Sequence, residues 1–301
     1  MNVAIQVAGL VKKYGDLTAV RDVSFDVASG EFFGILGPNG AGKTTTLELI
    51  EGLREPDAGT VSLLGASPWP RNRELAVRIG VQLQATAFFA RLTAREQLRT
   101  FAELYGVSKK RADEMLEVVG LTDKASTRIE KLSGGQAQRL SIACALVNDP
   151  EVVFLDEPTA ALDPQARRNL WDLLRQLNTD GRTVVLTTHY MDEAESLCER
   201  VAIMDNGEIL TINSPAALVR DLNAATHISI SSGHLSAEQA TSVAAGAAEI
   251  DDDGIDLTFT THRPAGVLTA LAEREALDGL RVRGATLEDV FLNLTGREYR
   301  A

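Results

Sequence analysis

An α/β fold built on a parallel sheet, followed by a smaller α+β domain, is the architecture this sequence predicts, and three observations predict it. The first is Gly37-Pro38-Asn39-Gly40-Ala41-Gly42-Lys43-Thr44-Thr45, which fits G-x-x-x-x-G-K-[ST] between an apolar run at 31–36 and a helix-like run at 46–50. The second is a pair of near-continuous apolar runs, 151–157 and 183–189, separated by a helical pattern around 165–178. Buried strands alternating with helices argue for a parallel sheet covered on both faces. The third is a change of character near residue 220. Residues 1–220 carry 29 acidic and 24 basic groups, whereas 221–301 carry 13 acidic and 6 basic groups with no lysine. The expected domains are therefore 1–220 and 221–301.

Taken in order, Val3–Val7 and Val23–Val27 alternate as paired, half-buried strands. Between them Tyr14 precedes Gly15-Asp16; its ring suits either a turn anchor or a face on which a base could stack. After the glycine-rich loop, 59–63 and 79–84 read as short strands. Helical periodicity follows, with Thr93 and Glu96 spaced as a capping box and a second amphipathic run from Lys109 to Val119. These helices suggest a helical lobe over about residues 85–150. Residues 201–209 read as a hairpin turning at Asn206-Gly207. Beyond 220, strands are expected at 226–232, 256–261 and 280–282, and helices at 236–248, 265–275 and 286–292. His227, His234 and His262 are scattered and read as surface residues.

Composition narrows the function classes. The chain has 301 residues, 45% hydrophobic and 24% charged, as ordinary globular proteins do. A net charge of −12 argues against a nucleic-acid partner, which needs a basic face. Only Cys144 and Cys198 occur, so no disulfide framework is expected and a reducing cytosol suits the chain. No stretch approaches the roughly 18 apolar residues of a membrane span, and the first residues do not open a signal peptide. Work at a membrane would be done from outside the bilayer.

The chemistry sits at the ends of the apolar runs. In a strand–loop–helix context the glycines at 37, 40 and 42 let backbone N–H groups cradle phosphate oxygens, and the helix N-terminus adds its positive end. Lys43 would set an ammonium on the β/γ-phosphates and the Thr44 hydroxyl would reach Mg²⁺. Asp156 and Glu157 close a buried strand, where α/β sheets hold their ligand chemistry. Asp156 could hold Mg²⁺, and Glu157 could accept a proton from an attacking water; as a bare pair they would equally suit a solvated strand end.

The string Leu132-Ser133-Gly134-Gly135-Gln136 matches the signature of ATP-binding-cassette ATPases, and residues 3 to about 220 resemble that family in motif order. The resemblance implies a P-loop NTPase cassette, with a RecA-like parallel core, an antiparallel β subdomain and a helical subdomain, followed here by the small C-terminal α+β domain. Within it, Tyr14 falls at the adenine-stacking position and Gly37, Pro38, Asn39, Gly40, Ala41, Gly42, Lys43, Thr44 and Thr45 at Walker A. Gln84 falls at the Q-loop, although Gln82 competes for that place. Asp156 and Glu157 fall at Walker B, Ala161-Leu162-Asp163 at the D-loop and His189 at the switch histidine. Ala137 departs from the basic or polar residue many members carry after the signature.

By resemblance, two copies face head to tail and sandwich two ATP molecules, each between one copy's Walker A and the other's Ser133, Gly134, Gly135 and Gln136. Glu157 is then the general base and His189 a γ-phosphate contact. Thr44, Gln84 and Asp156 serve Mg²⁺, and Gln84 couples to the lobe that touches a membrane partner. The ending 286–297 is similar to that of drug-export ATPases of the daunorubicin-resistance, ABC-2 type. That implies a cytoplasmic export ATPase, peripheral on the inner face of the membrane through a separate integral permease. An importer ATPase is the alternative, and a soluble non-transport cassette a more distant one. The C-terminal domain would serve dimer contact or regulation, or act as a stabilising appendage.

Overall fold

The computed structural model describes residues 2–83, 88–89, 91–160 and 162–296, in two compact units, one running to Pro215 and the other starting at Ala216. In the first unit β1 (Val3–Tyr14), β2 (Leu17–Ala28) and, after β3 (Phe32–Leu36) and α1 (Lys43–Ile50), β4 (Ala58–Leu63) form an antiparallel sheet of order β2-β1-β4. β1 and β2 are each 12 residues long, well beyond the short runs read from alternation, and Tyr14 ends β1. The alternation lapses because register shifts interrupt the pairing between Val7 and Tyr14.

The central sheet follows from α2 (Arg73–Ala76), β5 (Ile79–Gln82), α3 (Ala94–Leu104), α4 (Lys109–Val118), α5 (Gly134–Leu146), β6 (Val152–Asp156), α6 (Pro164–Thr179), β7 (Thr183–Thr188), α7 (Met191–Leu197), β8 (Arg200–Asp205) and β9 (Glu208–Asn213). Its order is β5-β6-β7-β3-β8-β9, parallel except for β9, which returns through a hairpin. Asn206 and Gly207 both take positive φ, 49° and 82°, as a type I′ turn demands. Every residue of β3, β6 and β7 is buried, which is why these strands read as continuous apolar runs. Phe33 stacks on Phe25 at 5.2 Å between ring centroids, joining this sheet to the antiparallel one. Parallel pairing sets Leu36 beside Thr188 and Asp156 beside Thr187, so three carboxyl-terminal strand ends finish at one edge.

The helix α8 (Pro215–Asp221) follows, and the second unit adds β10 (Thr226–Ser231), α9 (Ala237–Ala244), β11 (Ala248–Asp252), β12 (Asp256–Thr261), α10 (Pro264–Ala272), β13 (Arg281–Arg283) and α11 (Leu287–Thr295). Its sheet has the order β11-β12-β10-β13, all antiparallel, which with the βαββαβ succession is the ferredoxin-like split arrangement. Ile228, Ile230, Leu257 and Phe259 pack under Ala240 and Val243 of α9 and Val267 and Leu271 of α10. One expectation is corrected here. The alanine-rich run at 236–248 is not one helix: Ala245 and Gly246 turn left-handed at φ 45° and 71°, and the chain then pairs as β11. His227, His234 and His262 are exposed, as read. Among the described residues no helix is long and apolar enough to cross a membrane.

Candidate functional site

The loop between β3 and α1 is built on close approaches. A Cβ on Gly37 would lie 2.1 Å from the Met204 carbonyl oxygen, so no side chain fits. Gly42 caps α1 at φ 101° with no side-chain cap, and a Cβ there would meet the Ala19 oxygen at 2.4 Å. The first N–H groups of α1 are thus left for a ligand. Lys43, 4% exposed, donates to the Gly37 oxygen at 2.9 Å and the Pro38 oxygen at 3.1 Å, and pairs with Glu157 Oε1 at 3.2 Å.

The opposite wall is the end of β6. Asp156 is buried, and its Oδ1 accepts from Thr44 Oγ1 at 3.1 Å and from Thr187 Oγ1. Burial lifts its carboxyl above the ordinary range, and the neighbouring Glu157 adds to that, against the lowering by the two hydroxyls and Lys43. Glu157 takes φ 47°, a left-handed conformation costly for a residue with a side chain. The neighbouring strand holds it there, because the Glu157 N–H donates to Thr187 Oγ1 at 3.0 Å and approaches the Thr187 oxygen at 3.2 Å. The kink leaves Oε1 on Lys43 and Oε2 at 3.1 Å from His189 Nδ1. One carboxylate therefore bridges the ammonium and the imidazole.

Tyr14, 40% exposed, lines a cleft of about 450 Å³ with Asn39, Gly40, Lys43, Thr44, Thr45 and Glu157. Lys12 Nζ and Arg54 Cζ stand 5.8 and 5.6 Å from the Tyr14 ring centroid. The structure thus gathers Tyr14, residues 37–45, Asp156, Glu157 and His189 into one neighbourhood.

Ser133, Gly134, Gly135, Gln136 and Asp163 are not part of it. They line a second cleft of about 450 Å³ that shares no lining residue with the first. Ser133 caps α5: its Oγ accepts from the Gln136 N–H at 3.3 Å while Gln136 Oε1 accepts from the Ser133 N–H at 3.0 Å. Asp163 caps α6 through Gln165 N–H at 3.0 Å and Ala166 N–H at 2.8 Å. Gln136 and Asp163 thus have local tasks beside any ligand contact. Around Gly134 a Cβ would meet nothing within 4 Å, so no contact among the described residues asks for glycine there. Gln84 and Ala161 lie outside the described residues. Gln82 ends β5 buried, its Nε2 donating to the Leu83 oxygen at 2.6 Å.

Sequence reasoning missed Thr187 and Thr188. Thr187 Oγ1 donates to the Asp156 carboxylate and accepts from the Glu157 backbone N–H, and the Thr188 oxygen accepts from the Gly37 N–H at 3.2 Å. Their signal was two hydroxyls at the end of an otherwise apolar strand. It also missed Glu193, fully buried on α7 with Oε1 accepting from Trp171 Nε1 at 3.1 Å.

Known proteins resemble this chain in sequence and in fold. A family model described as ABC transporter matches residues 20–160. A Nod factor export ATP-binding protein I from a Rhizobium species is 41% identical over 300 residues, spanning 98% of this chain and 98% of its own. A linearmycin resistance ATP-binding protein from Bacillus subtilis is 38% identical over 311 residues, spanning 98% of this chain and 99% of its own. Among solved structures, an ATP-binding subunit of an ABC transporter superposes with a TM-score of 0.66 at 29% identity, covering 72% of this chain and 92% of that one. A dimeric ATP-binding cassette bound to ADP and Pi after hydrolysis gives 0.64 at 32% identity, covering 70% and 98%.

Proposed function

The chain belongs to the ATP-binding-cassette transporter family, and from that premise we propose that it is the ATP-hydrolysing subunit powering export through a separate integral membrane permease. The observation that carries the ATPase reading is the Lys43–Glu157–His189 bridge beside Asp156 and Thr44, at the mouth of a phosphate-binding loop. The full-length matches to export ATP-binding proteins support the export reading over the import one.

The adenine stacks on Tyr14, and the N–H groups of residues 37–45 take the phosphates. Phosphate oxygens on Lys43 compete with Glu157 for the same ammonium. As they take over that charge, the carboxylate is left facing the water to be activated, oriented by His189. Glu157 accepts the water proton as the oxygen attacks the γ-phosphorus in line, and the bond to the β–γ bridging oxygen breaks to release ADP.

Mg²⁺ fits the residues present: Thr44 Oγ1 and Asp156 Oδ1 lie 3.1 Å apart, hard oxygens with the acid only partly compensated. Among the described residues there is no cluster of three or more His, Cys, Asp or Glu, but Mg²⁺ needs only one or two carboxylates beside phosphate oxygens. When bound, it would neutralise charge building on the β- and γ-oxygens. Gln84 is the remaining candidate for the metal and the water, on the resemblance alone.

The second cleft supports a composite site. Ser133, Gly134 and Gly135 open α5 with N–H groups and the positive helix end, as a γ-phosphate would need. They lie on a cleft distinct from the Walker A one, and no contact among the described residues requires Gly134 to be glycine. A second copy supplies them to the first copy's ATP. The working form is a homodimer, held to the inner face of the membrane by the permease.

Replacing the base tests the chemistry. Glu157→Gln should bind ATP with parental affinity and hydrolyse it at least about a hundredfold more slowly, in a phosphate-release assay on purified protein. Parental turnover would remove Glu157 from the base role.

A further inference from the structure

Glu157 and His189 stand on two short turns, one leaving β6 and the other leaving β7, and each turn carries a buried threonine. The Ala160 N–H closes the first turn on the Glu157 oxygen at 3.1 Å, with Thr159 inside it. Thr159 is fully buried, and its hydroxyl makes no hydrogen bond among the described residues. Thr188, just before His189, is also buried, and its Oγ1 accepts from the Tyr190 N–H at 2.9 Å. Both hydroxyls face Glu193 of α7. Burial lifts the Glu193 carboxyl above the ordinary range, while the hydroxyls of Thr188 and Thr159 and the Trp171 indole draw it back. Its Oε1 accepts from Trp171 Nε1 at 3.1 Å, and its Oε2 is buried without a close partner among the described residues. An acid in the first turn of a helix ordinarily stays in water and complements the helix dipole. This one is fully buried and reaches towards α6 and the two turns instead. Burying it costs free energy that an apolar side chain of similar size would not.

We propose that Glu193 is a positioning residue for hydrolysis, holding the turn of Glu157 through Thr159 and the turn of His189 through Thr188, with Trp171 fixing its own carboxyl. The proposal rests on the roles given above to Glu157 and His189 and adds what keeps them in register. Glu193 lines no part of the Walker A cleft, so it acts through those two residues and not on ATP. Their separation, 3.1 Å between Glu157 Oε2 and His189 Nδ1, has to survive the exchange of partners at Lys43. Glu157 also sits at φ 47°, a conformation that persists only where its surroundings impose it. The unengaged Thr159 hydroxyl and Glu193 Oε2 are the one bond left to make between the turn and the helix. Phosphates that displace the Glu157 carboxylate from Lys43 free its turn to settle, and Thr159 then bonds Oε2. A base misplaced by about 1 Å slows the chemical step by about a hundredfold without weakening nucleotide binding.

The test compares Glu193→Leu, Glu193→Gln and Thr159→Val in the purified full chain, by phosphate release over a range of ATP concentrations and by thermal unfolding. Leucine fills the space without a hydrogen bond, so Glu193→Leu should melt as wild type does, keep its KM and lose at least about tenfold in kcat. Glutamine keeps an acceptor for Trp171 and a polar group for the two hydroxyls, so Glu193→Gln should restore kcat to within about threefold of wild type. Thr159→Val removes a hydroxyl that bonds nothing in the free chain, and it too should lower kcat at unchanged KM and unchanged melting temperature. That variant carries the test should Glu193→Leu fail to fold. Parental kcat in Glu193→Leu or in Thr159→Val overturns the proposal. So does a Glu193→Gln as slow as Glu193→Leu, or a loss of kcat that follows KM and melting temperature, the mark of a purely structural role. Glu157→Gln run alongside separates the two readings. Slow turnover there with parental Glu193→Leu removes only the Glu193 proposal, whereas parental turnover of Glu157→Gln removes the base reading and this proposal with it.

Discussion

Three buried acids of the cassette show how neighbours decide what a carboxyl does. Glu157 spends its charge on Lys43 and His189, and Asp156 is met by two threonine hydroxyls. Glu51 has no such partner among the described residues, and the sign of its pH effect follows. Its carboxyl titrates near 8 when folded against 4.5 as an ordinary glutamate, so between those values the folded chain holds a proton that the unfolded chain has lost. Stability from this group is therefore full below about pH 4.5 and drains away as pH rises towards 8, by up to about 5 kcal/mol. Glu51→Gln removes the titration. Its melting temperature should gain on wild type steadily from about pH 5 to about pH 8, by thermal unfolding monitored by circular dichroism. Parallel profiles would mean Glu51 ionises normally in the fold. Residues at this scale were unevenly legible. Lys43, Thr44 and Asp156 stand in fixed spacings that local motifs expose. Glu51 and Thr187 matter through contacts made across strands and helices, and their own neighbours in sequence say nothing of it.

Two capping boxes of the same design separate stability from function. Thr93 and Glu96 open α3, and Ser133 and Gln136 open α5. Loss of either cap hydroxyl should cost about 1 kcal/mol of stability. Thr93→Ala should end there, since that helix start lines neither the Walker A nor the signature cleft. Ser133→Ala should lose the same stability and most of the ATP hydrolysis as well, because it also loosens the N–H groups offered to phosphate. Urea unfolding and phosphate release on the two variants make the comparison; equal activities would reduce Ser133 to a cap. The first box was readable because polar caps precede an amphipathic run. The overrun of α9 has the opposite cause. Alanine-rich sequence favours helix at every residue, while β11 is an exposed, acidic edge strand whose burial pattern holds no alternation to detect. It exists because β12 offers a full ladder of partners. The six-stranded core was legible for the same reason in reverse: β3, β6 and β7 are buried throughout, so composition alone identifies them.

At the scale of the whole chain, the question is why one polypeptide carries its Walker A and signature motifs on two clefts that share no lining residue. On the proposed reading each would hold half of what phosphoryl transfer requires: one the loop, the lysine and the proposed base, the other a helix N-terminus open to negative charge. Joining them across a two-fold axis satisfies both at once, since an isologous pair makes each contact twice. In the proposed dimer, negative charge brought by ATP would draw two positive helix ends together, and loss of phosphate would let them part. Two crippled chains distinguish this from a site complete in one copy. Lys43→Ala should abolish nucleotide binding at its own loop, and Ser133→Arg should block the cleft it offers to a partner. Each alone, as a homodimer, should be inactive. Mixed in equal amounts, they form heterodimers in which one composite site pairs an intact loop with an intact signature. Occluded nucleotide and phosphate release should therefore reappear on mixing and scale with the heterodimer fraction. If each chain held a whole site, both partners would carry a damaged one, and mixing would restore nothing.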